Sequence, residues 1–444
     1  MIPVEIKSLL NEGKFSEARK LLVNKEVEEP GNTGVLNLLA FVYLQTGDFS
    51  KAVEKLKKVS EIETNSATPL INLGIAFFRK GDIDIALNYF RQAVERDPKN
   101  YLAHYNYALA LAESGKVFEA ISEYEISIKI NPDYYSAYYN LSMLYLLTGN
   151  YEKGFELFEY RFKSDELKRK ELPGKRWNGE VAKDKTLYVY ADQGFGDVIQ
   201  FIRFLKIAKE RVGEIILEVQ IELLGLLKNV DFIDRVVPTR PDFSPMSKYD
   251  LQIPLMSLPY ALKINKENIP IDIPYIFADK EKSERWRALL NTDKKKIGIA
   301  WRGNPTFAKN HIRSTNVKFF KEIFEIKNTV FFSLQKDIFD REKEFLLENE
   351  VVNLSEYLKD FSDTAAIIDN LDLIITTDTV IPHLSGAMGK PVLLLLSKNH
   401  DWRWGMDESK STWYPSITIF RQPQIDNWKE VFILAKNHLT ENFQ

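Results

Sequence analysis

The sequence contains no cysteine. Disulfides, thiolate nucleophiles and cysteine-based metal sites are thereby excluded, which accords with a reducing compartment. An excess of one charge is also missing: 60 Lys and Arg stand against 63 Asp and Glu, a formal net charge of −3. No bulk field therefore draws the chain to nucleic acid or anionic lipid. Long hydrophobic runs are absent as well, the longest being stretches such as "VLLLLS", far short of the roughly 20 residues that span a bilayer. The start, "MIPVEIKSLLNEGKF", has no basic segment followed by an apolar one and does not read as a signal peptide. A cytoplasmic protein with no membrane span is expected. What is present is ordinary for globular protein: 45% apolar and 28% charged residues over 444 positions, enough for two or three domains with their own cores.

Internal periodicity organises the first third. Gly13, Gly47, Gly81, Gly115 and Gly149 recur every 34 residues. Five positions after each stands a small residue (Ala18, Ala52, Ala86, Ala120, Gly154), then a bulky one (Leu22, Leu56, Phe90, Tyr124, Phe158). This pattern predicts units of two helices whose turn needs positive φ. The small residue admits the neighbouring helix, and the bulky one fills the groove to the next unit. The spacing and residue types resemble the tetratricopeptide repeat, which implies an α-solenoid over residues 1–168 with a concave surface suited to peptide. A purely architectural array is the alternative.

After a charged linker, 169–184, short runs rich in Val, Ile and Tyr alternate with helical segments, which predicts βα units and parallel sheet. "TLYVYA", "EIILEV", "YDLQIP" and "PYIF" are the strands expected in a first Rossmann-like domain, 185–280. "KKIGIAW", "TVFFSLQ", "LDLIITT", "PVLLLLS" and "SITIF" are those expected in a second, 281–444. "KSERWRALLNTDK" reads as a connecting helix and turn. Two doubly wound sheets place ligand crevices at the carboxyl ends of their strands.

Two segments carry candidate chemistry. In "ADQGFGDVIQFIRF" the carboxylate Asp197 stands where a strand hands over to a helix. Phosphate cradling by Gly194 and Gly196, acid–base chemistry and simple helix capping are the three readings. In "LDLIITTDTVIPHLSGAMGKPVLLLL" a strand ends at Thr377 and Asp378 is expected to cap the following helix. The head of that helix suits a diphosphate, with Thr376, Thr377 and Thr379 as hydroxyl donors, whereas Asp378 suits sugar hydroxyls. Trp402, Trp404, Trp413 and Tyr414 form an aromatic group read as stacking surface or core. The one Asp-x-Asp, Asp82 to Asp84, lies in a repeat turn, so no metal site is expected.

The motifs "DQGFGDVIQFIRF", "IGIAWRGNP", "FFSLQKD", "TTDTVIPHLSGAMGKPV", "DWRWG", "STWYPSITIFRQ" and "DNW" occur in the order seen in tetratricopeptide-containing glycosyltransferases. The chain thus resembles the heptosyltransferase group, glycosyltransferase family nine. The resemblance implies a GT-B fold of two Rossmann-like domains and an inverting, metal-independent transfer from a nucleotide-sugar, with no cofactor. By position, Asp197 matches the catalytic base, and Asp378, Thr379 and His383 match the donor motif. Arg302, Asn304, Lys309 and Arg313 sit in a loop whose cations would neutralise the leaving diphosphate. Gln335 and Lys336 are expected at the base or phosphate. The family shows a histidine and an aspartate where this chain has Phe307 and Asn310, and a glutamate where it has Asp192. The implied acceptor is a polypeptide recruited by the repeats. The alternatives are an enzyme acting on an envelope glycan, and a non-catalytic repeat scaffold that only binds nucleotide or glycan.

Overall fold

The computed structural model describes residues 3–164, 171–305 and 310–442. The expected contributions of Phe307 and Lys309, and the beginning of the expected linker, lie outside the described residues. The chain divides after Leu144 into two compact units, and Tyr145–Phe162 goes with the second.

The repeats form five helix pairs: α1 (Val4–Asn11) with α2 (Phe15–Glu28), α3 (Thr33–Gln45) with α4 (Phe49–Ile62), α5 (Thr68–Lys80) with α6 (Ile83–Arg96), α7 (Tyr101–Glu113) with α8 (Val117–Ile130), and α9 (Tyr135–Leu147) with α10 (Tyr151–Phe158). Each periodic glycine occupies the turn within a pair with φ between 71° and 92°. At Gly81 the chain ends α5 in the left-handed conformation, and a Cβ there would meet nothing within 4 Å. Backbone conformation, not space, demands glycine at this point. The small and bulky residues are buried as the periodicity predicts, Ala18, Ala52, Ala86 and Ala120 completely. The pattern was legible because each requirement is local to one pair.

Two parallel sheets follow. The first comprises β1 (Lys175–Arg176), β2 (Ala182–Tyr190), β3 (Val212–Val219), β4 (Arg235–Pro238) and β5 (Leu251–Pro254), in spatial order β1-β5-β2-β3-β4. The second comprises β6 (Lys295–Ala300), β7 (Thr329–Ser333), β8 (Val352–Asn353), β9 (Leu373–Thr377), β10 (Val392–Leu396) and β11 (Ile417–Arg421), in order β11-β10-β9-β6-β7-β8. Both are doubly wound. Strand order reverses between β2 and β5 in the first sheet and between β6 and β9 in the second, the positions at which such sheets open a crevice. Ile297, Ile299, Leu373, Ile375, Leu393 and Leu395 form the buried centre of the second sheet with Trp301, Phe320 and Trp428 packed against it.

One expected strand is not formed. "PYIF" runs as irregular chain, because Pro274 has no N–H for a ladder and the Tyr275 and Ile276 amides both donate to the Ala387 carbonyl, at 3.0 and 3.4 Å. The short strands β1, β4 and β8 are not among those the sequence pattern predicts. Two to four residues leave no readable alternation.

Candidate functional site

The turn after β2 carries Asp192, Gly194 and Gly196 into the helix Phe195–Phe201. Gly194 is the cap residue and Asp197 the third helical residue, whose Oδ2 accepts from the Gly194 amide at 2.8 Å. Its Oδ1 takes the Nη2 of Arg403. Arg403 is buried and fully committed: Nη1 donates to Asp401 at 2.8 Å and Nε to Gln200 at 2.7 Å. Burial pushes the Asp197 carboxyl up and Arg403 opposes it. Burial also works against the charge on Arg403, yet Asp401 and Asp197 hold its pKa above the usual value.

Gly196 has a packing role. A Cβ there would lie 2.8 Å from the His383 ring, so the glycine makes room for a side chain from the helix after β9. His383 is buried, its Nδ1 is 3.1 Å from the Tyr414 hydroxyl, and its ring lies 5.1 Å from that of Trp404. Burial, followed by Arg403, lowers its pKa to about 3, so the imidazole is neutral at physiological pH.

The helix Val380–Ala387 follows β9, and its cap is Thr379, whose Oγ1 accepts from the Ile381 amide at 3.2 Å. This corrects the expectation that Asp378 caps it. Asp378 is buried beside Trp404, Arg313, Arg403 and Asp401. Burial, reinforced by Asp401, raises its pKa from 3.8 to about 6. The Trp404 side chain hydrogen-bonds Asp378, and Thr377 Oγ1, one residue earlier, is buried without a hydrogen-bond partner.

The raised carboxyl gives a pH test. The folded state holds the Asp378 proton more tightly than the unfolded chain, so its contribution to stability is full below pH 3.8 and is lost as pH rises through about 6. Asp378→Asn has no proton to lose. In urea titrations it should match the parent near pH 4 and exceed it by about 1–3 kcal/mol near pH 7.5. Parallel pH profiles for parent and variant would show that the carboxyl titrates as it does in solvent.

The remaining expected residues separate. Arg302 does not face the crevice as a free cation: its guanidinium pairs with Glu342 at 2.7 and 3.0 Å, donates to the Asp337 carbonyl and lies over Phe339. Gln335 accepts from the Trp301 and Arg302 amides at 3.3 and 3.0 Å and donates to the Arg302 carbonyl. Both shape the loop after β6. Lys336 and Asn304 are exposed. Arg313 packs against that loop, where a Cβ on Gly303 would lie 2.7 Å from its Nη2. Its charge also reaches Asp378 and His383. Asp197, Arg313, Asp378, Thr379 and His383 are therefore brought into one region.

Trp402, Trp404, Trp413 and Tyr414 are all buried, and Trp402 and Trp413 pack with Tyr151, Phe155 and Phe201. They are core. Sequence reasoning missed Arg403, Asp401 and Arg203. Arg203 is buried, donates to the Trp413 carbonyl at 2.8 Å and to the Tyr275 hydroxyl at 2.9 Å, and lies over the Tyr414 ring. The one signal for Arg403 is its place between two tryptophans in "DWRWG", where a charge must find partners if the rings are buried.

Tetratricopeptide repeat models match residues 32–99, 71–135 and 123–156. Protein FlbA of Caulobacter vibrioides is 23% identical over 308 residues, which cover 64% of this chain and 51% of that protein. The chain thus spans about half the length of this curated relative. Among solved structures, MamA of Desulfovibrio magneticus is similar at 18% identity and a TM-score of 0.32, over 36% of this chain and 93% of that one. TTC0263, a tetratricopeptide protein of Thermus thermophilus, is similar at 19% and 0.33, over 36% and 88%. YrrB, described as a tetratricopeptide protein with an unusual peptide-binding site, gives 19% and 0.29, over 36% and 81%.

The expectation of an active glycosyltransferase is corrected. The family matches fall on the repeats. In the α/β part the expected base, Asp197, accepts from the Gly194 amide and pairs with Arg403. Among the described residues no group of three His, Asp or Glu could hold a metal ion. No described helix is long and apolar enough to cross a membrane. The chain is a tetratricopeptide-repeat α-solenoid followed by two parallel β-sheets.

Proposed function

We propose that this protein is a non-catalytic repeat scaffold that binds a nucleotide or glycan in its second sheet. In this reading the two sheets are Rossmann-like domains of GT-B type kept as a binding fold, and the repeats take a polypeptide partner. The ligand lies at the switch point between β6 and β9. Thr379 and the head of the helix Val380–Ala387 meet a phosphate there, with Arg313 supplying positive charge. Asp378 accepts hydroxyls of a ribose or sugar.

The observation that carries the reading is Thr377 Oγ1, a buried polar atom without a hydrogen-bond partner at this strand end. Leaving it so is unfavourable unless something else pairs with it. A thermal-shift panel of ADP, GDP, UDP, CMP and neutral oligosaccharides tests it. One class should raise the melting temperature, since a ligand specific for the folded chain stabilises it. Arg313→Ala should remove the shift for a phosphate-bearing ligand. A flat panel would refute the binding site, and release of free nucleotide from a nucleotide-sugar with a suitable acceptor would refute the non-catalytic assignment.

A further inference from the structure

A cavity of about 360 Å³ opens at the carboxyl ends of β10 and β11, lined by Lys398, His400, Asp407, Ser409, Arg421 and Gln422 among others. None of its lining residues is among those gathered at the β6–β9 switch point, Asp197, Arg313, Asp378, Thr379 and His383. Its size falls within the range of small-molecule sites.

Charge is the first indication of what it holds. Arg421 is half-buried, and its Nη groups donate to the backbone carbonyls of Glu408 and Trp404 rather than to a carboxylate. Burial lowers its pKa, with only longer-range help from Glu408 and Asp407. Lys398 is exposed at the rim and makes no ion pair among the described residues. Two cations, one fixed by backbone contacts, therefore face one space without a counter-ion in contact. This is the arrangement that an oxyanion completes.

The other walls narrow the class. Gln422 is buried; its Oε1 accepts from the Lys398 amide at 3.1 Å, and its Nε2 has no partner. Asp407 offers an acceptor for hydroxyls. Met406, Ile419 and Pro423 supply aliphatic surface, and no Phe, Tyr or Trp lines the space, so the large stacking rings that favour a nucleobase are missing from its walls. His400 is occupied, with Nε2 2.7 Å from the Gly405 carbonyl and Nδ1 facing the carbonyls of Ser397 and Lys398.

We propose that this cavity is a second binding site, specific for a small phosphorylated sugar: the phosphate monoester meets Lys398 and Arg421, and a sugar hydroxyl meets Asp407. The site is independent of the crevice between β6 and β9.

Isothermal titration of the full chain with glucose 1-phosphate, inorganic phosphate and glucose tests it. Glucose 1-phosphate should bind more tightly than either part. Lys398→Met and Asp407→Asn should each weaken it about tenfold. Lys398 is exposed, so its variant should keep the parent circular dichroism spectrum. Arg421 is avoided because its contacts to Trp404 and Glu408 hold the loop. No heat with glucose 1-phosphate up to about 10 mM would overturn the proposal. Equal affinity for inorganic phosphate would overturn the sugar-phosphate class, and unchanged binding by Lys398→Met would overturn the location.

Discussion

Replacing Arg403 with methionine should cost the α/β unit about 2–4 kcal/mol, because it removes the buried cation of a network whose carboxylates, Asp197 and Asp401, are 23% and 38% exposed and stay charged. Arg403 is 8% exposed and touches Asp197, Asp401 and Gln200, and its guanidinium lies 4.4 Å from the centre of the Trp402 ring. Methionine retains much of the volume, so the loss reports charge and hydrogen bonding rather than a cavity. Denaturant unfolding monitored by tryptophan fluorescence provides the measurement. The double variant Arg403→Met with Asp197→Asn should lose less than the sum of the two single changes, since one orphaned charge is gone. A loss under about 1 kcal/mol would mean that the pair behaves as an exposed one.

Arg161→Met should be comparably severe, at about 3–5 kcal/mol. Arg161 is fully buried after α10 and donates to Asp192 Oδ2 at 2.9 and 3.1 Å, to Glu159 at 2.8 Å and to Ser257 at 2.7 Å. The rings of Phe158 and Phe162 flank it at 4.4 and 4.1 Å. Its partner Asp192, with a side chain 1% exposed, also accepts from the Met256 amide at 3.2 Å. It therefore joins the turn after β2 to the turn after β5 at the switch point of the first sheet. Asp192 stands two residues before Gly194, so the same change should loosen the glycine turn, read as faster amide hydrogen exchange over Gln193–Asp197. Lysine cannot reproduce the planar fork, and Arg161→Lys should recover less than half of the loss. Full recovery would show that charge alone holds the turn.

The two parts of the chain differed in how openly they could be read. The repeat glycines announce themselves because a left-handed turn is a property of a few consecutive residues. The central strands do so because burial on both faces requires an unbroken apolar run. "PYIF" misled for the same reason: its composition is that of a strand, but the carbonyl that holds it, on Ala387, is more than 100 positions away. The capping assignment slipped by a single residue, from Thr379 to Asp378, which is the ordinary precision of a helix boundary.

The candidate site is legible in the sequence only in pieces. Asp197 and His383 were both identified from sequence, yet nothing in either segment shows that Gly196 is small because His383 needs the space. Nor does "GFGD" disclose that its carboxylate meets an arginine 206 positions later. Composition and periodicity by themselves determined the repeat solenoid, the two parallel sheets and the absence of cysteine chemistry, because helix period, turn conformation and strand burial are short-range demands. Only the tertiary structure decided which charges neutralise one another, which glycines serve packing and which aromatic rings are core. The reason is electrostatic and steric: the state of a buried group depends on what lies within a few ångströms of it, and that neighbourhood is assembled from segments the sequence keeps far apart.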